Sequence, residues 1–438
     1  MIKQLIFTIV LMMTLILFGY TVRLFYRRFK VTKAYTLKDW GLRIGLMLKV
    51  AIGQTKIFRF PVVGLFHALV FWGFILITFG SLEMVFDGVA GIHRTFSFLG
   101  GFYNFLIGAG DIFGYLIFFL IIVFLIRRLA IRVNRFYGTE MKPVSKTDAN
   151  LSLLTILLLM VSLIGINICY LGYQQSTMQM VEGAYPLSQH LTGWVLTESP
   201  ATLWAWHEVF WWTHILLIFA FANALPYSKH FHVFMSVPNV LLSRLEPLGK
   251  LDNMESVMNE IRLMMNPEAM NSSTSSDTAP PSRFGVLDVE DITWKNYFDS
   301  LSCTECGRCT SVCPANITGK KLSPRKIIMD VRARMKEKIP GFGKNPPDPS
   351  TMKTLVKEQV SAEELWACNT CNACAQECPI NINHPTLIVD MRRYLMMEES
   401  AAPSGLNSMF SNVENNGAPW QYSRDDRMKW AENIVMNV

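Results

Sequence analysis

The sequence predicts an all-α protein: a bundle of five transmembrane helices followed by a helical unit on the cytoplasmic side, built on two groups of four cysteines. Three observations predict it. Five apolar segments, at about 5–22, 61–80, 104–126, 151–173 and 209–230, each approach the ~20 residues a helix needs to cross the hydrocarbon core. Basic residues crowd alternate connecting loops. Eight of the nine cysteines fall in two runs of the same spacing near the C-terminal end.

Of the 438 residues, 51% are apolar, which points to a membrane part rather than one large soluble core. The net charge of +7 does not signal nucleic-acid binding, because the Lys and Arg residues sit in loops between apolar segments. That pattern orients a membrane protein. Segment 5–22 resembles a signal peptide, but no small-residue cleavage site follows it, so it reads as a span.

The first loop holds Arg23, Arg27, Arg28, Lys30, Lys33, Lys38, Arg43, Lys49, Lys56 and Arg59, and the third holds Arg127, Arg128, Arg132, Arg135, Lys142 and Lys146. The second has only Arg94, and 174–200 has no Lys or Arg. Loops one and three are therefore cytoplasmic, the N-terminus lies outside, and everything after 230 lies inside a bacterial plasma membrane. Trp204, Trp206, Trp211 and Trp212 mark the outer interface at the start of the fifth span.

Histidines inside spans are costly and read as functional. His214 and His232 are 18 residues apart, which on one continuous helix is five turns and about 27 Å, so they share a face. His230 then points away, and His207 shares the His214 face but sits among the interfacial Trp residues. His67 lies near the cytoplasmic end of the second span, at the depth of His232. These two imidazoles could supply the axial nitrogens of a b-type haem. His214 faces Ile77 rather than a second histidine, so it is left as one ligand of a second haem, a quinone hydrogen-bond partner, or a contact to a neighbouring helix. Asp111 reads as an interfacial carboxylate ahead of a proton- or quinone-path group, and Glu83, Asp87 and His93 fall in an outer loop. Cys169 reads as a buried small hydrophobe.

Leu65-Phe-His67, Leu225-Pro-Tyr-Ser-Lys-His-Phe-His232 and Ser236-Val-Pro238, on a five-span pattern, resemble the membrane γ subunit of respiratory nitrate reductase. That resemblance implies two haems with ligands from spans two and five, and a quinol site. It assigns His67 and His232 to an inner haem and His214 to an outer one. Ile77 departs from the pattern where the fourth histidine would stand.

Residues 237–284 are expected to hold an amphipathic helix and then a polar linker, Asn271 to Ser282, unable to form a core. The bundle is assigned to 1–236, the cysteine-rich unit to 285–400, and a tail for partner docking to 401–438. Cys303-Thr-Glu-Cys306-Gly-Arg-Cys309-Thr-Ser-Val-Cys313-Pro and Cys368-Asn-Thr-Cys371-Asn-Ala-Cys374-Ala-Gln-Glu-Cys378-Pro are both C-x2-C-x2-C-x3-C-P runs. In such runs three thiolates hold one [4Fe-4S] cube and the fourth ligates the other. Cys303, Cys306, Cys309 and Cys378 are thereby assigned to one cluster, and Cys368, Cys371, Cys374 and Cys313 to the second. Structural zinc prefers two separated Cys pairs, and disulfides do not persist in reducing cytoplasm.

The 54 residues between Cys313 and Cys368 are too many for a compact β-rich ferredoxin and suit an α-helical one. Ser323-Pro324 caps a helix to about Met335, Ser361 and Glu364 form a capping box, and a helix follows His384-Pro385 through Met397. Arg308, Lys320 and Lys321 raise the local cluster potential, dock an acidic partner, or form a solvated face.

Asp288-Val-Glu-Asp-Ile-Thr-Trp-Lys295, the first cysteine run, Leu322-Ser-Pro-Arg-Lys-Ile-Ile328, Met391-Arg-Arg-Tyr394 and Asn416-Gly-Ala-Pro-Trp420 resemble the heterodisulfide-reductase-related membrane iron–sulfur oxidoreductases. That resemblance implies electron transfer between electron-transfer flavoprotein and the quinone pool. The family's Cys-Cys-Gly module has no match here, so it is expected on a separate soluble subunit. The alternatives are a membrane subunit of a sulfite-reduction-like sulfur pathway and a membrane-tethered ferredoxin without haem.

Overall fold

The computed structural model describes residues 2–265, 283–343, 345, 348, 353–421 and 423–431. Among these the chain is helical, with two isolated bridges and no strand. The expected linker from Asn271 to Ser282 lies outside the described residues.

Five long apolar helices span 28 to 34 residues each as the membrane part: α1 (Ile2–Phe29), α3 (Pro61–Ala90), α4 (Gly101–Leu129), α5 (Pro143–Ser176) and α6 (Pro200–Ala224), the last running on through a short turn to Tyr227. The short α2 (Trp40–Met47) lies between α1 and α3. Helices α3, α4, α5 and α6 pack in chain order, and α1 closes the ring between α6 and α3. Leu5, Ile9, Met12, Ile16 and Leu17 of α1 stay exposed, as side chains facing lipid do.

Each expected span exists, and most run longer than their apolar cores. Helix α3 continues ten residues beyond position 80, so Glu83 and Asp87 belong to a helix rather than to the outer loop. Helix α6 begins at Pro200, where Ser199 Oγ accepts from Thr202 N at 3.2 Å. It ends at Ala224 because Pro226 can neither donate nor fit the next turn. The single span expected over 209–230 is therefore broken. Two three-residue turns, Leu225–Tyr227 and Lys229–Phe231, lead into α7 (His232–Leu241). The expected amphipathic helix is α8 (Glu255–Met265).

The cysteine-rich unit comprises α9 (Trp294–Ser302), α10 (Arg308–Ser311), α11 (Pro314–Ile317), α12 (Pro324–Lys338), α13 (Ala362–Trp366), α14 (Ala373–Glu377), α15 (His384–Met397) and α16 (Ser404–Asn416). The caps read from sequence are present. Ser323 Oγ accepts from Lys326 N, and Ser361 and Glu364 satisfy each other's backbone N–H groups.

This unit sits on the end of the bundle that carries basic loops one and three. Phe25 and Phe231 of the bundle share one core with Val289, Ile292, Tyr297, Leu301, Ile328 and Val331. Polar clasps surround that core. Lys33 N donates to Ile292 O at 2.8 Å, and Trp294 N to Lys33 O at 2.9 Å. Arg28 donates twice to Ile339 O, and Arg325 pairs with Glu140 at 2.6 Å. Interlocked hydrogen bonds and a shared apolar core fix the cysteines relative to the membrane helices.

Candidate functional site: two cavities at opposite ends of the bundle

A cavity of about 370 Å³ lies between the basic end of the bundle and the cysteine-rich unit. Its bundle wall carries His67, His230 and His232, and its other wall carries Cys303, Cys306, Cys309 and Cys378. His67 and His232 sit within electrostatic reach of each other. The pair expected from sequence is thus brought together, but by a different route. His232 opens α7 after the chain break instead of continuing the His214 face. His230, which a continuous helix would turn away, lines the same cavity with its ring 5.8 Å from that of His232.

The His232 Nδ1 lies 3.3 Å from Lys229 O, which fixes that nitrogen as the donor and leaves Nε2 for a ligand. Burial pulls its pKa down to about 4, so the imidazole is neutral at physiological pH. His67 Nδ1 is buried without a hydrogen-bond partner. The turn that aims His232 is anchored through Lys229, whose backbone N–H donates to Asp148 at 3.0 Å and whose Nζ donates to Ser145 Oγ at 2.8 Å. Nζ also lies 3.7 Å from Glu305, between the first two cysteines.

Loop one holds both cysteine runs. Lys56 Nζ donates to Cys378 O at 3.1 Å, while Arg308 Nη1 donates to Lys56 O at 3.0 Å. Arg59 Nη1 reaches Gln376 O and the Glu377 carboxylate. Gly307 has φ 74°, and a Cβ there would lie 2.6 Å from Arg135 O. Only glycine permits this close approach of the first run to the bundle.

Cys309 lies within electrostatic reach of Cys306, Cys303, Cys378 and Cys374, and Cys374 of Cys368, Cys313 and Cys371. Burial pushes the Cys303 thiol up to about 11 and the Cys378 thiol up to about 12. The first set borders the cavity, and the second opens to the surface through the exposed Cys371. Among the described residues, no three His, Cys, Asp or Glu side chains converge tightly enough for a single metal ion.

The second cavity, about 510 Å³, lies at the other end of the bundle. His214 lines it, with Nδ1 held by Leu159 O at 3.0 Å and Ser162 Oγ at 2.9 Å, and Ile77 is another of its walls. His207 lines it too, its ring stacked on that of Trp204 at 4.9 Å. Its Nδ1 and Gln174 Oε1 are buried there without hydrogen-bond partners. Asp111 is buried and accepts from Leu187 N, Ser188 N and Asn167 Nδ2 at 2.8, 3.0 and 3.1 Å. Cys169 is buried and isolated, as expected.

Residues 302–382 match the 4Fe-4S dicluster domain family. Over 424 residues the chain is 27% identical to the EtfAB:quinone oxidoreductase of Syntrophomonas wolfei, covering 89% of this chain and 54% of that one. It is 27% identical over 413 residues to the probable iron-sulfur-binding oxidoreductase FadF of Bacillus subtilis, covering 87% and 54%. A probable membrane-anchored ferredoxin of Chromohalobacter salexigens is 35% identical over 164 residues, covering 34% of this chain and 24% of that one. Its homologues are heterodisulfide-reductase-related iron–sulfur oxidoreductases. The chain spans about half the length of the first two relatives. No solved structure matches. The chain thus carries a 4Fe-4S dicluster domain beside five helices long and apolar enough to cross a membrane.

Sequence reasoning missed His230, the cavity role of His207 and Gln174, and the placement of Arg127 and Arg135 on the inner cavity. The two arginines were visible only as loop charges that orient the bundle.

Proposed function

We propose that this chain relays electrons between a cytoplasmic partner and membrane quinone, through two [4Fe-4S] clusters and a b-type haem. The supporting observation is the inner cavity, with His67 and His232 on one wall and Cys303, Cys306, Cys309 and Cys378 on the other. The clusters and haem supply one-electron carriers. Cys303, Cys306, Cys309 and Cys378 would hold the first cluster, and Cys313, Cys368, Cys371 and Cys374 the second. His67 and His232 would hold the haem, with Lys229 O keeping the His232 Nε2 free. The unpartnered His67 Nδ1 and the neutral His232 suit that group.

The exposed Cys371 makes the second set the docking point for the soluble partner, a Cys-Cys-Gly-type iron–sulfur subunit or electron-transfer flavoprotein. The name of the Syntrophomonas wolfei relative favours a flavoprotein-linked quinone route over a sulfur pathway. Quinone would enter from the lipid to the outer cavity. There Gln174 Oε1 and His207 Nδ1 await hydrogen-bond partners, and His214 is held by its Nδ1 alone. That the basic loops share the cysteine-bearing end supports a reading in which that end lies in the cytoplasm of a bacterial plasma membrane.

The test is a reduced-minus-oxidised spectrum of the purified protein, with pyridine-haemochrome and iron assays. Haem b is expected in the wild type, lost in His67→Ala and His232→Ala, and kept in His214→Ala, with about eight irons per chain throughout. Wild-type protein with about eight irons and no haem would be a membrane-tethered ferredoxin and would overturn the relay.

A further inference from the structure

Four guanidinium groups around the inner cavity already have partners. Arg325 pairs with Glu140 at 2.6 Å, Arg59 with Glu377 at 2.8 Å, Arg332 with Glu305, and Arg128 donates to Asn150 Oδ1 at 2.7 Å. Three others differ. Arg127, Arg135 and Arg308 line the cavity beside His67, and no ion pair joins any of them to a carboxylate among the described residues. They sit within electrostatic reach of one another, Arg127 with Arg308 and Arg135 with both.

Two aromatic rings hold them together. Arg308 and Arg135 lie 4.7 and 5.3 Å from the Phe60 ring, and Arg135 and Arg127 lie 5.5 and 5.8 Å from the Phe136 ring. Stacking on aromatic faces uses the planes of the guanidinium groups and leaves their N–H edges free to donate, as Arg308 Nη1 does to Lys56 O. One edge atom, Arg135 Nε, is buried with no hydrogen-bond partner. Three like charges gathered in one partly buried space repel, and a fold keeps such an arrangement where an anion fills the space. A thiolate-bound cluster and the Glu377 carboxylate answer part of this, because Arg135 and Arg308 both lie within electrostatic reach of Cys306 and Glu377. They do not answer Arg127, which feels Arg308 and no cysteine.

We propose that Arg127, Arg135 and Arg308 form an oxyanion-binding site that receives the paired propionate carboxylates of the haem held by His67 and His232. This rests on the haem reading above. The planar forks suit carboxylates, and three donors around two carboxylates account for the whole group. The arginines are positioning residues: they fix how the macrocycle is turned between the histidines and the first cysteine set. An anionic lipid headgroup offers the same oxyanion chemistry at this end of the bundle, and the test separates the two sources.

The experiment uses the full-length protein purified from membranes, and measures haem transfer to excess apomyoglobin alongside the resonance Raman propionate-bending bands. Arg127→Gln and Arg135→Gln should retain haem at purification but release it about tenfold faster, the factor expected for one charge-assisted hydrogen bond. The propionate bands should shift, and Arg127→Lys should restore most of the slow release. Iron content should not change. Full haem in the wild type with unchanged release and bands in both Gln variants would overturn the propionate site while leaving the haem reading intact. Absence of haem from the wild type would overturn both. Phospholipid co-purifying with the wild type and lost in Arg127→Gln, with haem release unchanged, would assign the site to a lipid headgroup instead.

Discussion

The two ends of the bundle treat buried charge in opposite ways. At the end away from the cysteines the acids are satisfied from within the chain. Glu83 accepts from Phe96 N and Tyr103 Oη at 3.0 and 2.9 Å, with Arg94 at 3.6 Å. Asp87 accepts from Arg94 N and Thr95 N, both at 3.0 Å, and Asp111 from Leu187 N, Ser188 N and Asn167. Each carboxylate stitches an outer loop to a membrane helix. At the cysteine-bearing end Arg127, Arg135 and Arg308 gather with no ion-paired carboxylate among the described residues, Glu377 acting on Arg135 and Arg308 only from a distance. A buried charge whose partners are all supplied by the fold is structural, whereas one left open on a cavity wall marks a ligand.

The comparison breaks most severely through the cysteines. If the inner cavity faces a cluster built by crossing the two runs, Cys378→Ser should abolish the signal of the first cluster although it lies in the second run. Cys313→Ser should abolish the other signal. Each variant should fall to about four irons per chain, with one of two EPR-detectable [4Fe-4S] signals gone. Loss of the second signal in Cys378→Ser would show that each run serves its own cube.

A smaller effect sharpens the same contrast. Asp111→Ala removes the acceptor for two buried backbone N–H groups and the Asn167 amide, so it should destabilise the protein by about 3–5 kcal/mol. Its haem and iron contents should be unchanged in the protein that folds. Arg127→Gln should move thermal unfolding by less than about 1 kcal/mol, because no partner within the chain is orphaned. Equal losses of stability in the two variants would erase the distinction between structural and ligand-directed charge.

Much of this was legible in the sequence. The two cysteine runs, His67 with His232, the apolar spans and the caps at Ser323 and Ser361 are local patterns, and each states its own chemistry. The errors share one cause. Hydropathy marks where the chain is apolar, not where its helix can continue, so Pro226 passed unnoticed within 209–230 and His230 was turned to the wrong face. The polar turns of α3 beyond position 80 likewise read as loop, because the signals that hold Glu83 and Asp87 in a helix are hydrogen bonds to residues 94–103. Arg127, Arg135 and Arg308 meet only through the docking of two units, so no local pattern could announce them. Phe136 follows Arg135 directly, but Phe60, on which Arg135 and Arg308 both stack, comes from loop one.

The smallest expected effect concerns that docking and its dependence on pH. Burial pushes the Glu140 carboxyl up, but hydrogen bonds from Ser323 and Arg325 outweigh it and hold the group below the usual range. Glu305, also buried, is held down by Arg332, Ser145 and Lys229. A carboxyl whose folded pKa lies below its unfolded value stabilises the folded state above the unfolded value, about 4.3 for Glu, and loses that contribution as pH falls through the folded value. The contribution of these two carboxyls should therefore be constant from about pH 5 to 8 and weaken below about pH 4. Hydrogen exchange in the segments 135–141 and 323–328 reads it directly, since Arg325 also donates to Arg135 O at 2.7 Å. Glu140→Gln should raise exchange in both segments at neutral pH by a few-fold and flatten the rise on acidification. An acid transition of unchanged size in Glu140→Gln and in Glu305→Gln would place the pH-sensitive contacts elsewhere, leaving the apolar core around Phe25 and Phe231 to hold the two units together.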